Sequence, residues 1–279
     1  MNETILERLA VCSWSLQPST PLDLIEKLRV SKIPRVQLAL DPLRESPTLW
    51  KDIESLFRND GIAIVSGMFG CVGEDYSTLE TIRATGGIAP DITWSQNLAN
   101  IHACAVIAER LDLPLVTFHA GFMPHEPTNP HFSKLLERIQ KVAEIFAAKN
   151  INVALETGQE MAASLASVLE KLDRPNLGVN FDPANMILYD QGDPIEAVQT
   201  LGPWIRQIHI KDAKRTTTPG IWGQEVAVGT GDVDWPGFFS ALREIQFAGN
   251  FVIEREAGTQ RLIDVCRARD VVLKSNPSN

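Results

Sequence analysis

The chain has 279 residues, of which 44% are hydrophobic and 22% are charged, proportions typical of a folded globular protein. Its formal net charge of −9 would repel phosphate backbones, and no basic run offers a local exception, so no nucleic-acid partner is expected. No segment approaches the roughly 20 apolar residues of a membrane span or resembles a signal peptide, so no membrane association is expected and a cytoplasmic protein is the default prediction.

Short apolar runs alternate with longer segments of helical periodicity along the chain. The apolar runs, interpreted as buried strands, are residues 9–14, 36–40, 62–68, 115–119, 153–156, 177–181, 205–210 and 251–254. Helical spacing is found at residues 22–30, 94–110, 133–149, 162–172, 195–201, 235–245 and 260–273. Eight such repeats predict an α/β fold, a (β/α)8 TIM barrel that forms a single domain over residues 1–279. The length of the chain is close to the roughly 250 residues usual for a TIM barrel.

Two of the predicted loops are long. Residues 70–91 follow the third strand and residues 211–234 follow the seventh. Both would emerge at the rim formed by the carboxyl ends of the strands, where barrels of this kind have their active sites. The second loop contains Trp222 and is rich in glycine and threonine. It is interpreted as either a lid over the site or a mobile connector.

Four predicted strands end in a side chain that suits a metal ion. Glu156 ends the fifth strand, Asp182 follows the sixth, His209 lies in the seventh and Glu254 ends the eighth. Singly, such an acidic residue is more often a helix cap or an ion-pair partner, and such a histidine is more often a hydrogen-bonded core residue. Their repetition at one edge of successive units favours a metal site, because desolvating unpaired carboxylates is costly. Three carboxylates and one imidazole suit manganese, magnesium, cobalt or zinc.

Other residues near the strand ends are candidate substrate contacts. Lys211 shares the face of His209 by two-residue alternation. It would bind a substrate oxygen or neutralise excess carboxylate charge. For His119, at the end of the fourth strand, the alternative role is a hydrogen bond within the fold. For Asn185, after the sixth strand, the alternative role is a cap of the following turn. The candidates are His119, Lys211, Asn185, Trp14 and Gln37.

Several segments carry a family resemblance. The sequences VALE (153–156), NFDPAN (180–185), IHIKD (208–212) and VIE (252–254) resemble strands of the xylose isomerase-like sugar isomerase/epimerase superfamily. The segment GTGDVDW (229–235) resembles the turn before that family's last helix, and the similarity extends from VCSW (11–14) onwards. Its ketose 3-epimerases and related keto-sugar epimerases bind one divalent ion, most often manganese. The resemblance therefore implies such an ion on Glu156, Asp182, His209 and Glu254, with the two glutamates as the catalytic acid and base. It also implies that Arg215 contacts the substrate.

A chemical mechanism follows from this resemblance. A divalent ion on a ketone and its neighbouring hydroxyl acidifies the proton on the adjacent carbon and stabilises the enediolate formed when that proton leaves. Return of a proton to the opposite face inverts the stereocentre, whereas return to the neighbouring carbon moves the carbonyl. The expected function is a metal-dependent sugar isomerase or epimerase with a small-molecule sugar as substrate. Assembly into a homo-oligomer is left open.

Three alternative functions use the same barrel. An inosose dehydratase-like or keto-glycoside-cleaving lyase begins with the same proton removal. A non-catalytic sugar-binding barrel would bind without a metal. An endonuclease IV-like phosphodiesterase would need a multinuclear zinc site with additional histidines. At two of the positions where that family has these histidines, this chain has Asn185 and Asp234, and it has only five histidines in all. This last alternative is therefore disfavoured.

Overall fold

The computed structural model describes residues 5–123, 129–158, 160–218 and 220–275. Its strands in chain order are β1 (Leu9–Cys12), β2 (Arg35–Ala39), β3 (Ala63–Met68), β4 (Leu115–Phe118), β5 (Asn152–Glu156), β6 (Leu177–Phe181), β7 (Ile205–Ile210), β8 (Asp212–Lys214), β9 (Gln224–Val226) and β10 (Asn250–Ile253). Its α-helices are α1 (Pro21–Ser31), α2 (Asp41–Glu45), α3 (Pro47–Trp50), α4 (Ile53–Asp60), α5 (Leu79–Thr85), α6 (Asp91–Arg110), α7 (Pro130–Ala147), α8 (Ala162–Leu172), α9 (Pro183–Leu188), α10 (Pro194–Leu201), α11 (Trp235–Glu244) and α12 (Arg261–Ser275).

Eight strands close into a barrel in the order β1, β2, β3, β4, β5, β6, β7, β10. All neighbouring pairs in this ring are parallel, and Leu9 of β1 lies opposite Phe251 of β10 where the ring closes. The predicted TIM barrel is confirmed. Because every strand runs in the same direction, all the carboxyl ends meet at one rim.

The helices cover the outside of the barrel with their apolar faces. In α7, which contacts β5, the residues Leu135, Ile139, Val142 and Phe146 recur at helical spacing and are buried. Burying each such side chain contributes about 1.5–3 kcal/mol, which accounts for the packing of this layer. No helix in the described part of the chain is both long enough and apolar enough to cross a membrane.

Polar side chains fill part of the barrel interior beneath the rim. Gln37, Ser66, Thr117, Asn180 and Gln207 are all fully buried. Gln37 Nε2 donates to Thr117 Oγ1 at 2.7 Å, and Ser66 Oγ donates to Gln207 Oε1 at 2.7 Å. Gln207 Nε2 donates in turn to Asn180 Oδ1 at 3.2 Å. Buried polar groups of this kind are tolerated only when hydrogen-bonded, and a satisfied network holds its members in one geometry.

The two long loops at the rim contain regular structure of their own. Helix α5 lies within residues 70–91, and β8 pairs antiparallel with β9 within residues 211–234. Asp212 anchors the second loop, because its carboxylate accepts hydrogen bonds from the backbone N–H groups of residues 229, 231 and 233 and from Trp235 Nε1. The described residues of this segment, 211–218 and 220–234, are therefore folded at the rim, and they are called the flap below.

Candidate active site

The four residues of the predicted metal site meet at the rim. Glu156 is the last residue of β5, Asp182 directly follows β6, His209 lies in β7 and Glu254 directly follows β10. Each is at most 5% exposed. One ligand atom from each residue lies within 4.8 Å of the others, which is close enough for a single ion to contact all four.

The cluster has two buried polar atoms without hydrogen-bond partners. His209 Nδ1 lies 3.4 Å from Glu156 Oε1, 3.4 Å from Glu254 Oε2 and 3.8 Å from Asp182 Oδ2. In the described part of the chain, this Nδ1 and Asp182 Oδ2 accept or donate no hydrogen bond, although buried polar atoms nearly always do. A divalent ion would satisfy both atoms. The donor set of carboxylate oxygens and one imidazole nitrogen fits manganese, magnesium, cobalt or zinc.

The charges around the cluster keep both glutamates ionised. Burial alone would raise the pKa of Glu254, but the neighbouring charges of Lys211 and His209 hold it well below its usual value. Burial likewise opposes ionisation of Glu156, whose pKa is nevertheless lowered by His119 and His209. Both side chains are therefore carboxylates at neutral pH, the form that can bind a metal and accept a proton.

The polar interior of the barrel supports the His209 ring from behind. His209 Nε2 lies 2.8 Å from Gln37 Oε1 and 3.0 Å from Asn180 Nδ2. Gln37 Oε1 accepts a hydrogen bond only when Nε2 carries a proton, so that in the neutral ring, which is the form that binds a metal, the lone pair on Nδ1 faces the carboxylates. The sequence interpretation of Gln37 as a substrate contact does not fit this position, because the side chain is fully buried behind the histidine.

Neighbouring side chains also hold the two glutamates. Trp14 Nε1 donates to Glu254 Oε1 at 2.9 Å, and Lys211 Nζ donates to Glu254 Oε2 at 2.8 Å. Asn185 Nδ2 donates to Glu156 Oε1 at 3.1 Å, while its Oδ1 accepts from Lys211 Nζ at 3.3 Å. The structure thus brings three predicted substrate contacts, Trp14, Asn185 and Lys211, into direct contact with the cluster.

A sharp turn after β5 sets the position of Asn185. Thr157 Oγ1 accepts a hydrogen bond from the backbone N–H of Asp182 at 2.8 Å, and Asn185 Nδ2 donates to the Thr157 carbonyl at 3.3 Å. Gly158 follows with a φ of +143°, and a Cβ there would lie 2.4 Å from Cβ of Asn185. Only glycine fits this close approach.

A cavity of about 440 Å³ adjoins the cluster. This volume lies in the range of small-molecule sites. His119, another predicted contact, lies on the cavity wall with Nε2 3.6 Å from Glu156 Oε1. Most of the lining residues are polar or aromatic; the described lining is formed by Tyr76, His119, Asn185, Leu188, Tyr189, Lys211, Trp222, Gly223, Glu225, Glu256 and Ala257.

Three aromatic rings form one wall of this cavity. The ring centroid of Trp222, in the flap, lies 6.5 Å from that of Tyr76 and 5.4 Å from that of Tyr189. Tyr76 belongs to the long loop after β3. The two rim loops are therefore joined through aromatic contacts at the wall of the cavity.

Arg215 lies away from the cluster. Its guanidinium pairs with Asp190 and donates to the Gly192 carbonyl at 3.3 Å, and its side chain is 40% exposed. Its backbone N–H donates to Asp232 Oδ2 at 2.8 Å. None of these contacts reaches the four ligands, and Arg215 does not belong to the cavity lining. The structure therefore does not bring Arg215 together with the four candidate ligands, and a contact of this residue with substrate stays a prediction.

Sequence reasoning missed Asn180, Glu256 and Glu160. The first two lie two residues from Asp182 and Glu254, so alternation along an extended chain is a signal that points to them. Asn180 Nδ2 lies 3.3 Å from Glu156 Oε2, and Glu256 Oε2 accepts a hydrogen bond from Lys211 at 2.6 Å. Glu160 is buried in the turn before α8, where burial raises its pKa to about 8. No periodicity marks this position.

Comparison with known proteins gives a consistent family match. A model of xylose isomerase-like TIM barrels matches residues 33–270. The crystal structure of a xylose isomerase domain protein from Planctomyces limnophilus has a TM-score of 0.85 and 34% sequence identity, covering 90% of this chain and 91% of that one.

Two curated proteins match shorter stretches. A 3-dehydroshikimate dehydratase from Bacillus anthracis is 38% identical over 82 residues, or 28% of this chain and 29% of its own length. A ketose 3-epimerase from Arthrobacter globiformis is 28% identical over 123 residues, or 42% and 39% of the two lengths. The chain thus spans less than half of each of these relatives. Because the family model covers most of the sequence, the chain belongs to the xylose isomerase-like TIM barrel family.

Proposed function

We propose that this protein is a divalent-metal-dependent enzyme that epimerises or isomerises keto-sugars. The observation that carries the proposal is the pair of buried glutamates on opposite sides of β7, Glu156 and Glu254, each with an oxygen 3.4 Å from His209 Nδ1. A divalent ion bound by these residues and Asp182 would polarise a ketone oxygen and stabilise the negative charge that develops on it. The similarity to a ketose 3-epimerase supports a sugar as the substrate class.

The two glutamates divide the proton transfers between them. One carboxylate removes the proton from the carbon beside the ketone, and Trp14 or Asn185 holds that carboxylate in place through its hydrogen bond. If the opposite glutamate first takes up a proton from water and delivers it to the other face of the same carbon, the product is an epimer, and the first glutamate then releases its proton to water. If the proton returns to the neighbouring carbon, the carbonyl moves and the product is an isomer.

A dehydratase is the second candidate, supported by the 38% identity to the 3-dehydroshikimate dehydratase. After the same proton removal, loss of a neighbouring hydroxyl as water would require a proton donor. His119 lines the cavity, and although burial opposes its charging, the nearby Glu156 carboxylate raises its pKa. This histidine is therefore suited to protonate a leaving hydroxyl.

The test is a screen of free ketoses in heavy water with the protein loaded in turn with manganese, magnesium, cobalt or zinc. NMR follows deuterium uptake beside the ketone. Uptake with inversion supports epimerisation, carbonyl migration supports isomerisation, and loss of water supports the dehydratase. The E156Q and E254Q variants should lose uptake, whereas E170Q, at an exposed glutamate of α8, should retain it. If no ketose takes up deuterium with any of the four metals, the epimerase and isomerase proposal is rejected.

A further inference from the structure

Lys211 is the buried cation between the metal ligands and the substrate cavity. Its ammonium group lies 2.8 Å from Glu254 Oε2, 2.6 Å from Glu256 Oε2 and 3.3 Å from Asn185 Oδ1. An ammonium has three N–H donors, so these three acceptors use all of them. The side chain is only 3% exposed, and no donor is left for a substrate group.

Glu256 holds the Lys211 donor that faces the cavity. Its side chain is 52% exposed and belongs to the cavity lining, in contrast to the 2% exposed side chain of Glu254. A substrate anion approaching Lys211 from the cavity would therefore have to displace the Glu256 carboxylate.

The backbone around Glu256 is fixed by a buried ion pair. The Glu225 carboxylate accepts hydrogen bonds from the backbone N–H groups of Glu256 at 3.0 Å and of Ala257 at 3.1 Å. It also pairs with Arg255 Nη1 at 2.7 Å, and the two side chains are 9% and 11% exposed. Buried charge-assisted hydrogen bonds of this kind are strong and directional. Glu256 is thus held at the cavity wall by Glu225, in the flap, and Arg255.

The local charge balance also disfavours an anionic substrate. Glu156, Asp182, Glu254 and Glu256 contribute four carboxylates, whereas Lys211 and a divalent ion contribute three positive charges. Among the described residues of the lining, the remaining basic group is His119, which faces Glu156. No surplus positive charge is available to compensate a substrate carboxylate or phosphate once it leaves water.

We propose that Glu256 is a specificity-determining residue that restricts the site to uncharged polyhydroxy ketones, because its carboxylate occupies the place on Lys211 that a substrate anion would need. This inference rests on the proposed keto-sugar chemistry. A neutral sugar satisfies the same geometry, since a hydroxyl can donate to Glu256 without displacing it. The carboxylate of a sugar acid would be repelled by the nearby carboxylate of Glu256. The site would therefore distinguish neutral sugars from sugar acids by repelling the acids rather than by binding the neutral sugars more tightly.

The test compares a ketohexose with the corresponding sugar acid that carries a carboxylate at the terminal carbon. The wild-type, E256Q and E170Q proteins are loaded with manganese, and kcat/KM for deuterium uptake is measured for both sugars. We expect the wild type to prefer the neutral sugar by about 100-fold, and E256Q to reduce this preference by about tenfold or more, mainly through a lower KM for the acid. The E170Q control should keep the wild-type preference.

Equilibrium binding provides a readout that does not depend on turnover. In isothermal titration calorimetry, the sugar acid should bind E256Q more tightly than it binds the wild type, while manganese affinity and melting temperature remain similar. If E256Q fails to fold, the wild-type protein alone provides the test. A wild type that uses the neutral sugar and the sugar acid equally well overturns the inference. If the ketose takes up deuterium but E256Q prefers the neutral sugar as strongly as the wild type does, only this inference is overturned. No uptake into any ketose overturns the proposed function and this inference together.

Discussion

Gln37 Oε1 lies 2.8 Å from His209 Nε2, whereas the other ring nitrogen, Nδ1, faces the carboxylates of the candidate metal site. Gln37 is at the same time fixed by its own hydrogen bond to Thr117. A histidine ligand usually needs such a partner on its second nitrogen, because the partner fixes both the tautomer and the ring orientation. Gln37 thus holds the ring of His209 in the orientation that the proposed metal site needs.

The Q37L variant should bind manganese about 10- to 100-fold more weakly than the wild type, because nothing then holds the proton on Nε2. The control is S66A, which removes a hydrogen bond to Gln207 in the same polar interior and should leave manganese affinity within about threefold. Titration of Mn²⁺ followed by electron paramagnetic resonance measures both affinities. Equal affinities in Q37L and the wild type would contradict a supporting role for Gln37.

The two carboxylate oxygens of Asp182 differ in their hydrogen bonds. Oδ1 caps α9 by accepting from the backbone N–H groups of Ala184 and Asn185, whereas Oδ2 has no hydrogen-bond partner in the described structure. We expect D182N to lower manganese affinity by at least about 100-fold, since one charged ligand is lost. D193N is the matched control, because Asp193 caps α10 in the same way in front of a proline. If both variants bind manganese alike, Asp182 is only a helix cap.

Much of the barrel could be predicted because strands buried on both faces must be apolar. The predicted strand at residues 177–181 matches β6, and the convergence of strand ends brings the ligands together. The first strand is shorter than predicted, because the chain turns at Ser13, whose Oγ accepts the backbone N–H of Ala39 at 2.9 Å. That turn, a short 3-10 helix, directs Trp14 toward Glu254.

The contacts of the loops could not be predicted in the same way. The direction of Arg215 depends on Asp190, a partner on a different loop that no periodicity relates to it. The short β8 and β9 strands show no clear alternation, and their place depends on the hydrogen bonds of Asp212. The role of Gln37 depends on which way its amide faces inside the barrel, and a strand pattern carries no such information.

The W14F variant tests how the rim holds Glu254. Phenylalanine keeps a ring near His209 but loses the Nε1 donor to Glu254 Oε1. Because a hydrogen bond to a charged group contributes about 1.5–3 kcal/mol, we expect deuterium uptake to slow by about tenfold or more. Manganese affinity should change less, because the ligand atoms remain. W204F, at the amino end of β7, should behave like the wild type in both assays; an unaffected W14F would rule out this positioning role.

Asp212 should matter for stability rather than for metal binding. Its buried carboxylate accepts the hydrogen bonds that anchor the flap, and an asparagine would direct an NH2 group at some of those donors. The free energy of unfolding of D212N should fall by about 2–4 kcal/mol. D234N, at the exposed N-cap of α11, should have nearly the stability of the wild type, because asparagine caps a helix about as well as aspartate does. Urea unfolding measures both, and equal losses would contradict the anchoring role.

Glu160 should make stability depend on pH. Burial raises its folded pKa from 4.5 to about 8, so the folded protein binds a proton that the unfolded chain releases at lower pH. The contribution of the protonated carboxyl is fully present below pH 4.5 and is lost as the pH rises through about 8. Between pH 6 and pH 8, we expect the free energy of unfolding of the wild type to fall by about 2 kcal/mol relative to that of E160Q, whose amide does not titrate. Urea unfolding at both pH values measures the difference. The E170Q control changes an exposed glutamate and should follow the wild-type curve. If E160Q follows it as well, Glu160 does not take up a proton on folding.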